Sequence, residues 1–186
     1  GEGLMAMLKI LGWASPSTFE ATSPGELGAL HPAWAGDLAA RAPLRAERSA
    51  RGGEWSAQLD GGCDVTVCGP CGTTMDVAHA LWKEGALNAW GSVLAPVQSS
   101  GRGQLRRPWL CAPGNLFATL VCPQATGQWN ELRPLVFGYL LAEALEGLFG
   151  AVHIKWPNDI LMDDRKVGGI LVEERGDCIL VGIGLN

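Results

Sequence analysis

Positive charge is scarce in this chain. Its 186 residues carry 14 Lys and Arg against 19 Asp and Glu, a formal net charge of -5. A chain so short of cations is not a nucleic-acid binder by default, so a basic cluster in it is a local feature suited to a small anion rather than a polyanion. An apolar run of membrane-spanning length is missing. So is the basic start of a secretory leader: GEGLMAMLKILGWASP is only mildly apolar. There is no internal repeat, low-complexity tract or helix-turn-helix pattern. Cys68-Gly-Pro-Cys71 has no second CxxC to complete a zinc site. Apolar residues make up 47% of the chain, enough for a core without disulfide staples. Cys63, Cys68, Cys71, Cys111, Cys122 and Cys178 are therefore expected as free thiols in a reducing cytosol. A thioredoxin-like role for the CxxC pair is the alternative, because Thr73 is placed to cap a helix directly after it. The chain does not begin with Met and stops inside the apolar run CILVGIGLN, so a piece of something longer is expected.

What is there reads as one domain with a substantial core. Ser23-Pro24-Gly25-Glu26 predicts a capping box with Pro at the first helical position; the helix would run through Leu27, Leu30 and Trp34, but Pro32 interrupts it. Residues 41 to 54 read as a charged, Gly-bearing connector. From residue 61 the pattern sharpens. Asp64–Cys68 alternates as a strand, and Thr73 or Thr74 caps a helix that Gly85 ends. Strands are predicted over residues 91–98 and 115–121, and a helix from Pro134 to Gly150. Short strands follow around Val152–Trp156, Ile160–Met162, Lys166–Glu173 and Cys178–Leu185, with turns at Asp163-Asp164-Arg165 and Arg175-Gly176-Asp177. These connections are too short for crossover helices, so this part of the sheet must be antiparallel. The predicted class is α+β: helices packed on one face of a mixed, largely antiparallel sheet. Trp90 and Trp129 carry no functional reading and are expected to pack in the core.

Three stretches could hold an anion. In Ser99-Ser-Gly-Arg-Gly-Gln-Leu-Arg-Arg-Pro-Trp109, Gly101 and Gly103 allow close approach to bare backbone N–H groups. Arg102 between them suits bidentate contact with a carboxylate or phosphate. In His153-Ile-Lys-Trp-Pro-Asn-Asp159, Pro157 fixes the strand end and aims Asn158 and Asp159 outward, where they can orient a polar ligand or hold magnesium. In Arg165-Lys-Val-Gly-Gly-Ile-Leu-Val-Glu173, glycines inside a strand mark a close backbone approach, and Lys166 is a point charge beside it. The plain alternatives are a solvated loop, an Asn-Asp turn and a β-bulge. Together they describe an anion site distributed along strand edges.

Gly101-Arg102-Gly103, Lys155-Trp-Pro-Asn-Asp159, Lys166-Val-Gly-Gly-Ile-Leu-Val-Glu173 and Gly182-Ile-Gly-Leu-Asn186 occur in the order and spacing of biotin protein ligases, and residues 61–186 resemble the catalytic domain of that family. The resemblance implies a class II synthetase-like fold that uses ATP to form biotinyl-5′-AMP and passes biotin to a lysine of a carrier protein. ATP and Mg2+ would be co-substrate and activator. Matched by motif, Thr73, Thr74, Gln98, Gly101, Arg102, Lys166 and Gly169 would bind biotin, with Arg102 and Lys166 catalytic. Gly103, Gln104, Arg107, Trp109, Lys155, Asn158 and Asn186 would bind ATP or the adenylate, Trp109 covering the adenine. Asp159 would hold magnesium. The loop from Ser100 to Pro113 would close over the ligand.

Departures accompany the resemblance. Gln104 stands where the family usually has Arg, which implies a leakier adenylate or compensation by Arg106 or Arg107. Met75 follows the Thr-Thr pair where Asn is common. Residues 1–60 do not resemble the winged helix of repressor members and form a segment of uncertain role. The final elements of the catalytic domain and a C-terminal β-barrel are expected to be missing. A cytoplasmic enzyme follows, with a homodimer possible and neither membrane nor DNA as partner. The rival readings are a lipoate or octanoate ligase or transferase of the same superfamily, and a degenerate biotin-binding module.

Overall fold

The computed structural model describes residues 5–41, 43–124 and 131–186. Strand β1 is Ala6–Leu11, and helices α1 (Pro24–Leu30) and α2 (Pro32–Ala40) follow it. Ser23 Oγ accepts the Glu26 N–H at 3.2 Å and caps α1, as the capping-box sequence predicts. Pro32 does not merely interrupt that helix. It starts α2, whose N-cap is His31.

Next come β2 (Arg45–Ser49), β3 (Gly52–Leu59), β4 (Val65–Val67), α3 (Thr74–Lys83), β5 (Ser92–Ala95) and β6 (Leu116–Pro123). The last elements are α4 (Arg133–Phe149), β7 (His153–Lys155), β8 (Asp159–Met162), β9 (Arg165–Arg175) and β10 (Cys178–Leu185). Among the described residues, no helix is long and apolar enough to cross a membrane.

The ten strands of the described residues join one sheet in the order β2-β3-β1-β4-β5-β6-β10-β9-β8-β7. The β1–β4 and β4–β5 pairs are parallel and the others antiparallel, so the sheet is mixed and largely antiparallel, as expected of this α+β chain. Met162 pairs with Arg165 across Asp163 and Asp164, both at positive φ, which is the twist a two-residue hairpin needs.

The structure departs from the sequence reading in several places. The charged stretch 41–54 is largely a hairpin, β2 with the start of β3, and residue 42 lies outside the described residues. Its charges sit on an exposed edge strand, where they discourage pairing with another chain, and that polarity hid the strand. Strand β1 pairs with β4 across residue 60, so the sheet runs through that boundary. The helices do not share one face. Strand side chains alternate in direction, and both directions are apolar here. Cys178 and Leu180 meet α3 through Val77, Ala78 and Leu81, whereas Ile179 and Val181 meet Phe137 and Leu141 of α4. Helices α1 and α2 pack Leu27 and Leu38 on Ile10 and Val67, the neighbours of the α3-facing Leu11 and Cys68. Trp90, expected in the core, is 47% exposed, and Trp129 lies outside the described residues.

If β1 belongs to the same cooperative unit as the rest, Ile10→Ala should lower the single unfolding transition by about 2–5 kcal/mol. Urea denaturation followed by far-UV circular dichroism checks this. An unchanged main transition would make residues 6–59 a separate appendage.

Candidate functional site

A cavity of about 510 Å³ opens where β9 and β10 run side by side under the loop that joins β5 to β6. The first turn of α3 closes one end through Thr73, Thr74 and Met75. The start of β8 closes the other through Asn158 and Asp159.

The end at α3 is polar and internally satisfied. Thr73 Oγ1 accepts the Met75 N–H at 3.1 Å and caps the helix. The Thr74 N–H and hydroxyl both donate to Gln98 Oε1, at 2.7 and 3.1 Å, and the Thr74 hydroxyl lies 2.8 Å from that of Thr119. Gln98 Nε2 donates to Cys111 Sγ at 3.3 Å, and that thiol donates to Trp109 O at 3.2 Å. This chain of bonds ties both ends of the loop to α3. Gly101 lies beneath it. A Cβ there would stand 2.3 Å from Cys111 Sγ, so the bare backbone serves packing, and Gly101 does not line the cavity. Burial pushes the Cys111 thiol up, which keeps it neutral. The Cys68 thiol is also raised, by its hydrogen bond with Cys71 and by burial, unlike the depressed thiol of a redox-active pair.

Along the side of the cavity, Arg102 is forked onto Glu173. Its Nε and Nη2 donate to Oε1 and Oε2 at 3.1 and 3.3 Å, and Nη2 lies 3.5 Å from Asp76 Oδ1. Arg175 joins the same carboxylates: Nε and Nη2 reach Glu173 Oε2 at 3.0 and 2.8 Å, and Nη1 reaches Asp76 Oδ1 at 2.7 Å. The hydrogen bond to Glu173 raises the Arg102 pKa further. Burial pushes the Glu173 carboxyl up, but its bonds to Arg102 and Arg175 outweigh this and leave it below its ordinary value.

Over the strands lies Trp109. A Cβ on Gly184 would come within 2.5 Å of its Nε1, and one on Gly169 within 3.1 Å of its ring. The space over Gly169, expected for the chain of biotin, is thus filled by indole. Trp109 Nε1 is buried without a hydrogen-bond partner. Lys166 Nζ stands 5.2 Å from the ring centroid and 2.7 Å from Asp159 Oδ1. Val167 is the extra residue of a β-bulge between Lys166 and Gly168, and its carbonyl accepts the Asn186 N–H at 2.8 Å.

Asn158 is held by β9 at both ends, its Nδ2 donating to Ile170 O and its carbonyl accepting the Ile170 N–H, each at 3.0 Å. Gly103, Gln104 and Arg107 line the cavity with Asn186. Arg106 lines a second depression across the loop. Lys155 is exposed on edge strand β7 and does not line the cavity. Asp159 offers one carboxylate, already paired with Lys166. No group of three His, Cys, Asp or Glu able to hold a metal occurs among the described residues. Magnesium carried on nucleotide phosphates needs only one or two protein carboxylates, so in the metal role expected of it Asp159 would share its carboxylate with Lys166.

Sequence reasoning missed Cys111, Thr119, Arg175, and the parts played by Asp76 and Glu173. Arg175 had a readable signal: two positions after Glu173 on one strand, it shares that residue's face. Thr119 had none.

Comparison with known proteins gives the following. The sequence profile of the Biotin/lipoate A/B protein ligase family matches residues 71–186. The chain is 37% identical over 138 residues to the bifunctional ligase/repressor BirA of Escherichia coli (strain K12), covering 69% of this chain and 42% of that protein. It is 39% identical over 118 residues to the biotin–[acetyl-CoA-carboxylase] ligase of Paracoccus denitrificans, covering 59% and 49%. The crystal structure of biotin protein ligase from Leishmania major in complex with biotinyl-5-AMP superposes with a TM-score of 0.61 at 31% identity, over 66% of this chain and 56% of that one. The Aquifex aeolicus enzyme in complex with biotin and ATP gives 0.58 at 32%, over 66% and 51%. The chain spans about half the length of the curated relatives it matches.

The Glu173 charge carries a pH signature. A carboxylate with a lowered pKa stabilises the fold fully above its unfolded value, about 4.3, and loses that contribution as pH falls through its folded value. Glu173→Gln should be less stable than the parent at neutral pH, with the gap closing below about pH 4. Urea titrations across that range check it. A gap independent of pH would mean that packing, not charge, holds Arg102.

Proposed function

The chain belongs to the Biotin/lipoate A/B protein ligase family, and from that membership we propose that it carries the catalytic site of a biotin protein ligase. One observation carries the reading: a single cavity joins the polar Thr74–Gln98 end to the cations Arg102, Arg107 and Lys166. That arrangement suits a molecule with a polar ring at one end and a carboxylate at the other, lying beside a nucleotide. It agrees with the biotin, biotinyl-5-AMP and ATP held by the similar enzymes.

In the first step a biotin carboxylate oxygen attacks the α-phosphorus of ATP, the bond to the bridging oxygen breaks, and pyrophosphate leaves. Two anions must meet, so prearranged positive charge is what the protein has to supply. Arg102 and Lys166 would hold the carboxylate and then the adenylate phosphate. Thr73, Thr74 and Gln98 would border biotin, and Gly169 would do so once the Trp109 indole moves off it. Gly103, Gln104, Arg107, Trp109, Asn158 and Asn186 would border the nucleotide. In the second step a carrier lysine amine attacks the acyl carbon, loses its proton, and AMP leaves with the bond to its phosphate oxygen intact. Asp159, the carboxylate among the described residues lining the cavity, would be the group to meet magnesium carried on the ATP phosphates, and no step is assigned to the ion. Residues 61–186 would carry the site while residues 6–59 complete its sheet, in a cytoplasmic enzyme that meets its acceptor protein there.

A lipoate or octanoate ligase is the second reading, and one feature favours it. Met75 lines the cavity and fills the space over Gly182, its Sδ 3.0 Å from where a Cβ would stand, so this wall is apolar.

ATP–pyrophosphate exchange tests both. Exchange should depend on biotin and fall by roughly ten- to a hundredfold in Arg102→Ala and in Lys166→Ala, each losing a charged hydrogen bond. Exchange with octanoate or lipoate in place of biotin would select the second reading. Silence with all three, also after C-terminal extension of the chain, would leave a binding module.

A further inference from the structure

Arg102 has a conflict of partners. On the biotin reading it must meet the substrate carboxylate, yet its Nε and Nη2 already hold both oxygens of Glu173 at 3.1 and 3.3 Å. Turning toward the cavity weakens that fork. The Glu173 side chain is only 27% exposed, and a half-buried carboxylate stripped of its cation is strongly unfavourable. Left alone, this pair would hold Arg102 against its substrate.

Arg175 changes the balance. It lies on β9 outside the cavity lining, with its side chain 22% exposed. Its Nε and Nη2 both sit on Glu173 Oε2, at 3.0 and 2.8 Å, and Nη1 is 2.7 Å from Asp76 Oδ1. Asp76, in the first turn of α3, anchors it from the other side of the loop. The contact of Arg102 with Oε2 is the longer at 3.3 Å, so that oxygen belongs chiefly to Arg175. Two guanidinium groups thus share two carboxylates, and one of them can leave without stranding either acid.

We propose that Arg175, anchored by Asp76, is a positioning residue for Arg102: it keeps Glu173 neutralised while Arg102 turns to the substrate carboxylate. This rests on the biotin reading of the cavity. Arg175 touches no substrate. It acts by lowering what Arg102 gives up on binding, so its effect is confined to ligands that carry the anion.

The test is calorimetric titration of the full chain with biotin and with biotin methyl ester, which lacks the charge. Arg175→Met should weaken biotin binding about tenfold and leave the ester within about twofold. Arg175→Lys, which keeps the charge, should return most of the affinity. Arg175→Gln repeats the test with donors retained and charge removed, should the Met variant fold poorly by circular dichroism. Equal weakening of both ligands would make Arg175 a structural staple and overturn the proposal, as would biotin binding that no variant alters. A wild-type chain that binds neither ligand would remove the biotin reading itself, and the proposal with it.

Discussion

The fork between Arg102 and Glu173 decides where the Gly-rich loop lies, and the cavity exists because the loop lies there. Beside it, Trp109, packed on Gly169 and Lys166, ties the stretch after β5 to β9. The exposed turn at Gln104–Arg106 offers solvent-facing side chains, with Leu105 and Arg106 both at positive φ. A bidentate pair of charged groups, three-quarters buried, is geometrically specific and weakly screened. The bonds through Thr74, Gln98 and Cys111 then fix the root of the loop, and Trp109 settles on the glycines of β9 and β10.

The site satisfies most of its own charges. Arg102 has Glu173, Lys166 has Asp159, and the indole occupies part of the floor. A ligand therefore enters by exchanging partners rather than by filling a void. The exchange is favourable only where the released groups keep a partner or water. Lys166 is close to half exposed, so water reaches its ammonium, while Asp159 is about as buried as Glu173. Glu173 keeps a second cation, Arg175, when Arg102 leaves. The buried Trp109 Nε1 has neither, which makes this seat of the indole less favourable than one where its N–H finds an acceptor.

The chemistry was more legible in the sequence than the frame around it. Gly-Arg-Gly, Lys-Trp-Pro-Asn-Asp and Lys-Val-Gly-Gly mark turns and strand ends, where glycine and proline have few other uses, and they mapped directly onto loop, β8 and β9. Strands β1 to β3 were harder. Strand β1 buries Ala6, Leu8 and Ile10 against half-buried Met7 and exposed Lys9, but the apolar Met7 and Leu11 on the second face blurred that alternation, and β2 is polar because it is an edge. The two-sided packing of the helices was hidden for the same reason, since a continuous apolar strand does not say which face a helix takes. The Arg175–Asp76 contact joins residues 99 positions apart, and no local pattern predicts such a pair.

The account turns on Arg102 exchanging Glu173 for an anion in the cavity while Arg175 stays in place. The most direct measurement is the NMR signal of the Arg102 Nε–H group, assigned with Arg102→Lys, during titration with biotin. The account predicts that this signal moves to a new position at saturation while the Arg175 Nε–H signal remains near its starting place. An Arg102 signal unmoved at saturating biotin would mean that the fork never opens, and that Arg102 holds the loop rather than the substrate.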